Sequence, residues 1–167
     1  MDRHNKMALV TGASRGIGRA TAAALARAGA HVLVHYGRSA REAESLVSEI
    51  QTEGRVANAI SADLGTPNGA ALLAKQVRSI VGDRLDVLVL NAGISKAARL
   101  AGYTVEDFDN LFATNVRSPF FLVQQLLPIL GEGSNVIAIS SIGSHAVVGK
   151  PAWITPRSWP TPRPKEH

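Results

Sequence analysis

The feature that most constrains this chain is a glycine-rich segment, Thr11-Gly12-Ala13-Ser14-Arg15-Gly16-Ile17-Gly18, set between an apolar run at 7–10 and an Ala- and Leu-rich stretch reaching 28. Four apolar residues in a row without polar alternation fit a strand buried on both faces, as in a parallel sheet. The Ala/Leu stretch reads as a helix stopped by Gly29. A strand, a glycine-rich turn and a helix in that order open a βαβ unit. They also aim backbone N–H groups and the positive end of a helix dipole at one point, which suits a phosphate. Gly12 permits the sharp turn, Gly16 lets the backbone approach a ligand, and Gly18 lets the helix pack on the sheet. Glycines also serve ordinary turns, so the weight rests on the strand–loop–helix context.

The rest of the chain repeats the alternation. Residues 31–35 contain Val-Leu-Val, a second strand. Ser39-Ala40-Arg41-Glu42 has the capping-box pattern and opens a helix to about residue 52. Further strands are expected at 56–60, 85–90 and 136–140, with helices at about 68–81 and 104–130; Pro119 and Pro128 are expected to kink or shorten the last. Alternating strands and helices give right-handed crossovers. The expected fold is therefore α/β: a doubly wound, Rossmann-type parallel sheet of about five strands.

Composition adds boundaries. With 167 residues, 46% of them hydrophobic, the chain suffices for one domain with an aliphatic core. Zero cysteine excludes a disulfide scaffold, a zinc-thiolate site and a cysteine nucleophile. No apolar run approaches the ~18–20 residues that cross a bilayer, and the polar start shows no leader, so a cytoplasmic protein without a membrane partner is expected. The net charge of +5 invites a nucleic-acid partner, but residues 148–167 carry +3 of it. That tail also holds five of the eight prolines and both tryptophans. Two compositions thus meet near residue 150: a domain over 1–149, and a Pro/Arg/Trp-rich tail over 150–167 that is foreign to the fold. The tail's bias fits a shifted reading frame in a GC-rich gene, with a natural truncation, a misplaced gene end or a binding tail as alternatives. No basic-aromatic pattern supports nucleic-acid binding.

A second chemical signal follows the second strand. A dinucleotide whose ribose carries a free 2′-OH is usually met there by an Asp or Glu. Here the segment is His35-Tyr36-Gly37-Arg38, without an acid. Arg38 together with Arg15 of the loop suits a 2′-phosphate through charge-assisted bonds, which favours NADP over NAD.

Taken with these residues, the chain resembles the short-chain dehydrogenase/reductase family, in its single-domain form, and is similar to 3-oxoacyl carrier-protein reductases. The match begins at Thr11–Gly18 and includes Asp63-Leu64, where the family holds the adenine ring. Asn91-Ala92-Gly93 resembles the family's Asn-Asn-Ala-Gly, with Leu90 in place of the first Asn. Asn115-Val116 matches the family's helix asparagine, and Ile139-Ser140-Ser141 lies where it carries its serine. The resemblance covers about residues 6–149. It implies cofactor contacts from Gly12, Ser14, Arg15, Gly16, Ile17, Gly18, Arg38, Asp63, Leu64, Asn91, Ala92 and Gly93. It implies that Ser141, with Ser140 as the alternative, bonds a substrate carbonyl oxygen, and that Asn115 holds a water of a proton relay. No metal is implied.

The family's Tyr-x-x-x-Lys pair is absent. Its members hand hydride from NADPH to a carbonyl carbon while the tyrosine supplies the proton and the lysine lowers that tyrosine's pKa. Here the only tyrosines, Tyr36 and Tyr103, are followed four residues on by Ala40 and Asp107. Loss of a general acid alone costs ~10²–10⁴ in rate. The resemblance also implies roughly two further βα units, with the substrate lid and the main oligomer helix, and their absence leaves the fifth strand as a bare apolar edge. The expectation is an NADP-dependent oxidoreductase for a small carbonyl or secondary alcohol, impaired as written. The alternatives are a non-catalytic NADP(H)-binding protein and a non-functional fragment.

Overall fold

In a computed structural model of the chain, residues 6–98 and 100–141 are described. Five strands, β1 (Met7–Val10), β2 (His31–Tyr36), β3 (Ala57–Ser61), β4 (Val87–Leu90) and β5 (Asn135–Ala138), form one sheet in the order β3-β2-β1-β4-β5. Every neighbouring pair is parallel. The chain moves outward from β1 to β3, then returns to the other side of β1 for β4. That reversal opens a crevice at the carboxyl ends of β1 and β4, the place where sheets of this kind receive ligands.

Helices cover both faces, so the strands are apolar on both sides. On one face, α1 (Gly16–Arg27) and α2 (Ala40–Thr52) bring Ala22, Ala26, Leu46 and Ile50 against Val10, Val32 and Val34. On the other, α3 (Gly69–Val81) and α5 (Ser118–Leu126) bring Leu73, Val77, Leu122 and Leu126 against Leu9, Leu33 and Leu88. The alanine-rich sequence of α1 lets that helix lie close to the sheet. The doubly wound architecture expected from the alternation is the one observed.

Two local expectations are corrected. The Ser39–Glu42 capping box does not form. Ser39 has ψ 64° and its side chain caps nothing, because an N-cap hydroxyl reaches the first helical turn from an extended backbone, with ψ well above that value. A capping box does close α4 (Val105–Phe112): the Asp107 N–H donates to Thr104 Oγ1, and the Thr104 N–H to the Asp107 carboxylate. The bond from Lys96, then that from the Thr104 N–H, holds the Asp107 carboxyl below the ordinary range.

The long helix expected over 104–130 is interrupted before its prolines. A π turn, Ala113–Arg117, joins α4 to α5. Pro119 follows in the first turn of α5, where it is tolerated, and Pro128 lies in a closing 3₁₀ turn, Leu127–Ile129. β4 begins at Val87 rather than 85. β5 ends at Ala138 rather than 140, although the Ile139 N–H still donates to Leu90 O. All four residues of β5 are exposed, and no described strand covers its outer edge. The expected foreign tail, 150–167, lies outside the described residues.

Candidate functional site

The crevice is assembled by hydrogen bonds that span the chain. Thr11 directly follows β1, and its hydroxyl oxygen accepts from the N–H groups of Asn91 and Ala92, both at 2.9 Å, while it donates to Val89 O. Asn91 returns the contact: its side-chain Nδ2 donates to the carbonyls of Thr11 (2.9 Å) and Gly12 (3.1 Å). The ends of β1 and β4 are thereby locked together, and Asn91 acts as a tie between two loops.

The glycines follow from that closeness. Gly12 has φ +63°, and a Cβ there would stand 2.9 Å from Ala92 Cα. At Gly18 a Cβ would stand 2.4 Å from Asn91 Nδ2 and 2.5 Å from Gly12 O, so α1 can approach the loop only without a side chain. Around Gly16 there is open space, and Ile17 is exposed. Helix α1 starts with no side-chain cap and no acid in its first turn, which leaves its first N–H donors for a ligand anion.

Two adjoining cavities occupy the crevice. The larger, of about 780 Å³, is lined by Gly12, Ser14, Arg15, Arg38, Asp63, Leu64, Asn91, Ala92 and Gly93, among others. Arg38 lies almost wholly in solvent, and its Nη2 stands 3.9 Å from Asp63 Oδ2. The other oxygen of Asp63 accepts from the Gly65 N–H at 2.9 Å. One wall therefore carries two guanidinium groups beside an uncapped helix start and a glycine loop, a surface suited to phosphates. No group of three or more potential metal ligands occurs among the described residues.

The smaller cavity, of about 480 Å³, shares Leu64, Asn91, Ala92, Gly93 and Thr114 with the first and adds Asn115, Ser140 and Ser141. The Asn115 side chain is spent on the backbone of Ile94, accepting from its N–H at 2.9 Å and donating to its carbonyl at 2.8 Å. It sits in the middle of the π turn, a helical irregularity that recurs at functional sites. Asn115 thus fixes the loop after Asn91-Ala92-Gly93.

Of the residues expected from sequence, only Gly16, Ile17 and Gly18 do not line either cavity. Among the residues not legible as part of the site are Thr11 as a bonding hub, Thr114 in both cavity walls, and His35, buried under the loop. For Thr114 the available signal was its position next to Asn115.

The chain is similar to known proteins over most of its length. The family model described as short chain dehydrogenase matches residues 6–154. Versicolorin reductase 1 of Aspergillus parasiticus is 43% identical over 137 residues, which are 81% of this chain and 52% of that protein. Hydroxynaphthalene reductase arp2 of Aspergillus fumigatus is 43% identical over 140 residues, 83% of this chain and 50% of that protein. The structure of landomycin C-6 ketoreductase LanV with bound NADP and rabelomycin superposes with a TM-score of 0.82 at 37% identity, over 90% of this chain and 65% of that one. A short chain dehydrogenase from Burkholderia cenocepacia J2315 in complex with NADP gives 0.83 at 39% identity, over 89% and 60%. The chain spans about half the length of the curated relatives it matches. With the parallel sheet, the glycine loop and the Asn91 tie all inside the matched region, this chain belongs to the short-chain dehydrogenase family.

Proposed function

We propose that this chain binds NADP(H) in the larger cavity and supplies the cofactor-binding part of a reductase acting on a carbonyl or secondary alcohol. The observation that carries the cofactor choice is the pair of arginines, Arg15 and Arg38, on a cavity wall where β2 ends without an acid. Relatives solved with NADP support it. Gly12, Ser14 and the start of α1 would hold the pyrophosphate, Arg15 and Arg38 the 2′-phosphate, and Asp63 with Leu64 the adenine. Asn91, Ala92 and Gly93 would border the nicotinamide end. The bound cofactor would supply the hydride. Ser141, with Ser140 beside it in the smaller cavity, would donate to the substrate oxygen, and Asn115 would keep the 91–94 loop in place.

The lack of a Tyr-x-x-x-Lys pair favours binding without efficient turnover by the chain as written. A second reading, an NADP(H)-binding protein without catalysis, rests on that same absence. Titration with NADPH followed by a test ketone separates the two: binding with steady NADPH oxidation supports the reductase, and binding alone supports the second. For the cofactor choice, Arg38→Ala is expected to weaken NADPH binding about tenfold, the scale of one charge-assisted bond in an exposed setting, and to leave NADH binding nearly unchanged. Equal losses for both cofactors would remove the 2′-phosphate role.

A further inference from the structure

His35 lies beneath the phosphate loop with only 2% of its surface exposed, and it holds two elements at once. Its Nδ1 accepts from the Gly12 N–H at 3.1 Å, and its Nε2 donates to Ala62 O at 3.0 Å. The two partners fix the ring's state: Gly12 offers only a donor and Ala62 only an acceptor, so the proton belongs on Nε2 and Nδ1 carries a lone pair. The carbonyl of His35 also accepts from the Ala13 N–H at 2.8 Å. One residue therefore sets both the first turn of the loop and its distance from the end of β3, where the Asp63 segment begins.

We propose that His35 is a positioning residue for dinucleotide binding: its neutral ring latches Gly12 in the turn that receives the phosphates, so that protonation of the ring and cofactor binding oppose each other. This rests on the NADP(H) reading above. An imidazolium would turn Nδ1 into a donor facing the Gly12 N–H, and the bond would become a repulsion. The surroundings favour the neutral ring. Arg15, Arg38 and Asp63 are the charged groups lining the same cavity. On its own strand side His31 is engaged with Asn58, and α3 packs there with apolar Leu73 and Val77. Burial pushes the pKa of His35 below its ordinary value and outweighs the bond to Ala62, which acts the other way.

Substitutions can separate the two ring contacts. In His35→Asn the amide oxygen stands near the place of Nδ1 and can still accept from Gly12; His35→Gln reaches the place of Nε2 and keeps only the Ala62 contact. NADP⁺ binding is measured by calorimetry from pH 8 to pH 5 on the wild-type chain and both variants. The ring's tautomer and the Gly12 amide are followed by nitrogen-15 NMR on the wild type. Comparison with His35→Asn cancels the titration of the ligand's own phosphate. At pH 7.5, His35→Asn is expected to bind within about threefold of wild type, and His35→Gln about tenfold more weakly, one bond's worth. Below the ring's pKa, wild-type affinity is expected to fall relative to His35→Asn by up to about tenfold per pH unit.

A wild-type to His35→Asn ratio that stays flat while the ring titrates overturns the latch, and so does His35→Gln binding as well as His35→Asn. A ring found protonated on Nδ1 overturns it without any variant, which covers the case of variants that do not fold. Failure of the wild type to bind NADP⁺ at pH 7.5 overturns the dinucleotide reading. The latch is then decided by whether the Gly12 amide shifts with the ring's titration.

Discussion

Thr11 shows how much of the site hangs on one side chain. Its hydroxyl oxygen is the acceptor for two backbone N–H groups eighty residues away, at Asn91 and Ala92, in a place with almost no access to water. Valine has the same shape without the acceptor. Thr11→Val is therefore expected to leave two donors unpaired and to destabilise the fold by about 2–6 kcal/mol, at roughly 1–3 kcal/mol for each unmade bond. Thr11→Ser, which keeps the oxygen, is expected to recover most of that loss. Urea unfolding of the two variants checks this, and equal losses would contradict the acceptor role. The glycines of the loop were legible in the sequence because part of their reason is local, a turn at Gly12 and a helix that must pass close to Gly12 O at Gly18; the crowding by Ala92 and Asn91 was not. The roles of Thr11 and His35 were not, because their partners lie 23 to 81 positions away and nothing in a linear pattern announces them.

At the scale of elements, the strands were legible from apolar runs and the helices from their stops, but the joints were not. One joint gathers three strands. Asp86, buried just before β4, accepts the Met7 N–H at 2.9 Å and Arg84 Nε at 2.8 Å; its own N–H donates to Met7 O, and its carbonyl accepts from Asn135. Burial works to raise the Asp86 pKa. The bonds from Met7 and Arg84, with the charges of Arg84 and Lys6, outweigh it and hold the carboxyl below its ordinary range. A carboxyl depressed in the fold stabilises above the unfolded pKa, near 4, and that stability is lost as pH falls through the folded value. Asp86→Asn is expected to cost about 1.5–3 kcal/mol at pH 7, the range for bonds to a charged group. The gap from wild type is expected to narrow as pH falls from about 4 towards 2, followed by thermal unfolding. A gap independent of pH would mean that the charge contributes nothing. The sequence could not show this joint, nor that Ser39 leaves its cap unmade while Thr104 closes one. Both patterns place a hydroxyl three residues before an acid, and only the backbone angle at the cap position separates them.

At the scale of the whole molecule, the parallel order that makes the crevice also leaves an edge. β3 and β5 flank the sheet, and every residue of β5 is exposed. Val136 and Ile137 point to opposite faces, at 47% and 46% exposure, beside a row of backbone groups that no described strand pairs. Such an edge is a template for a second chain. A second apolar surface lies apart from it on α4, the π turn and α5, where Phe112, Val116 and Phe120 stand about half exposed or more. The two surfaces predict different self-association, and charge distinguishes them. If copies meet through the edge, Ile137→Lys puts an ammonium on it at little cost to the core and is expected to weaken association at least about tenfold, a loss of about 1.4 kcal/mol. Phe120→Glu would then leave association unchanged. If they meet through the phenylalanine face, the two variants exchange roles. Sedimentation velocity over a concentration series reads the result, with circular dichroism showing that each variant keeps its fold. Association unmoved by either variant would mean that neither surface is the contact.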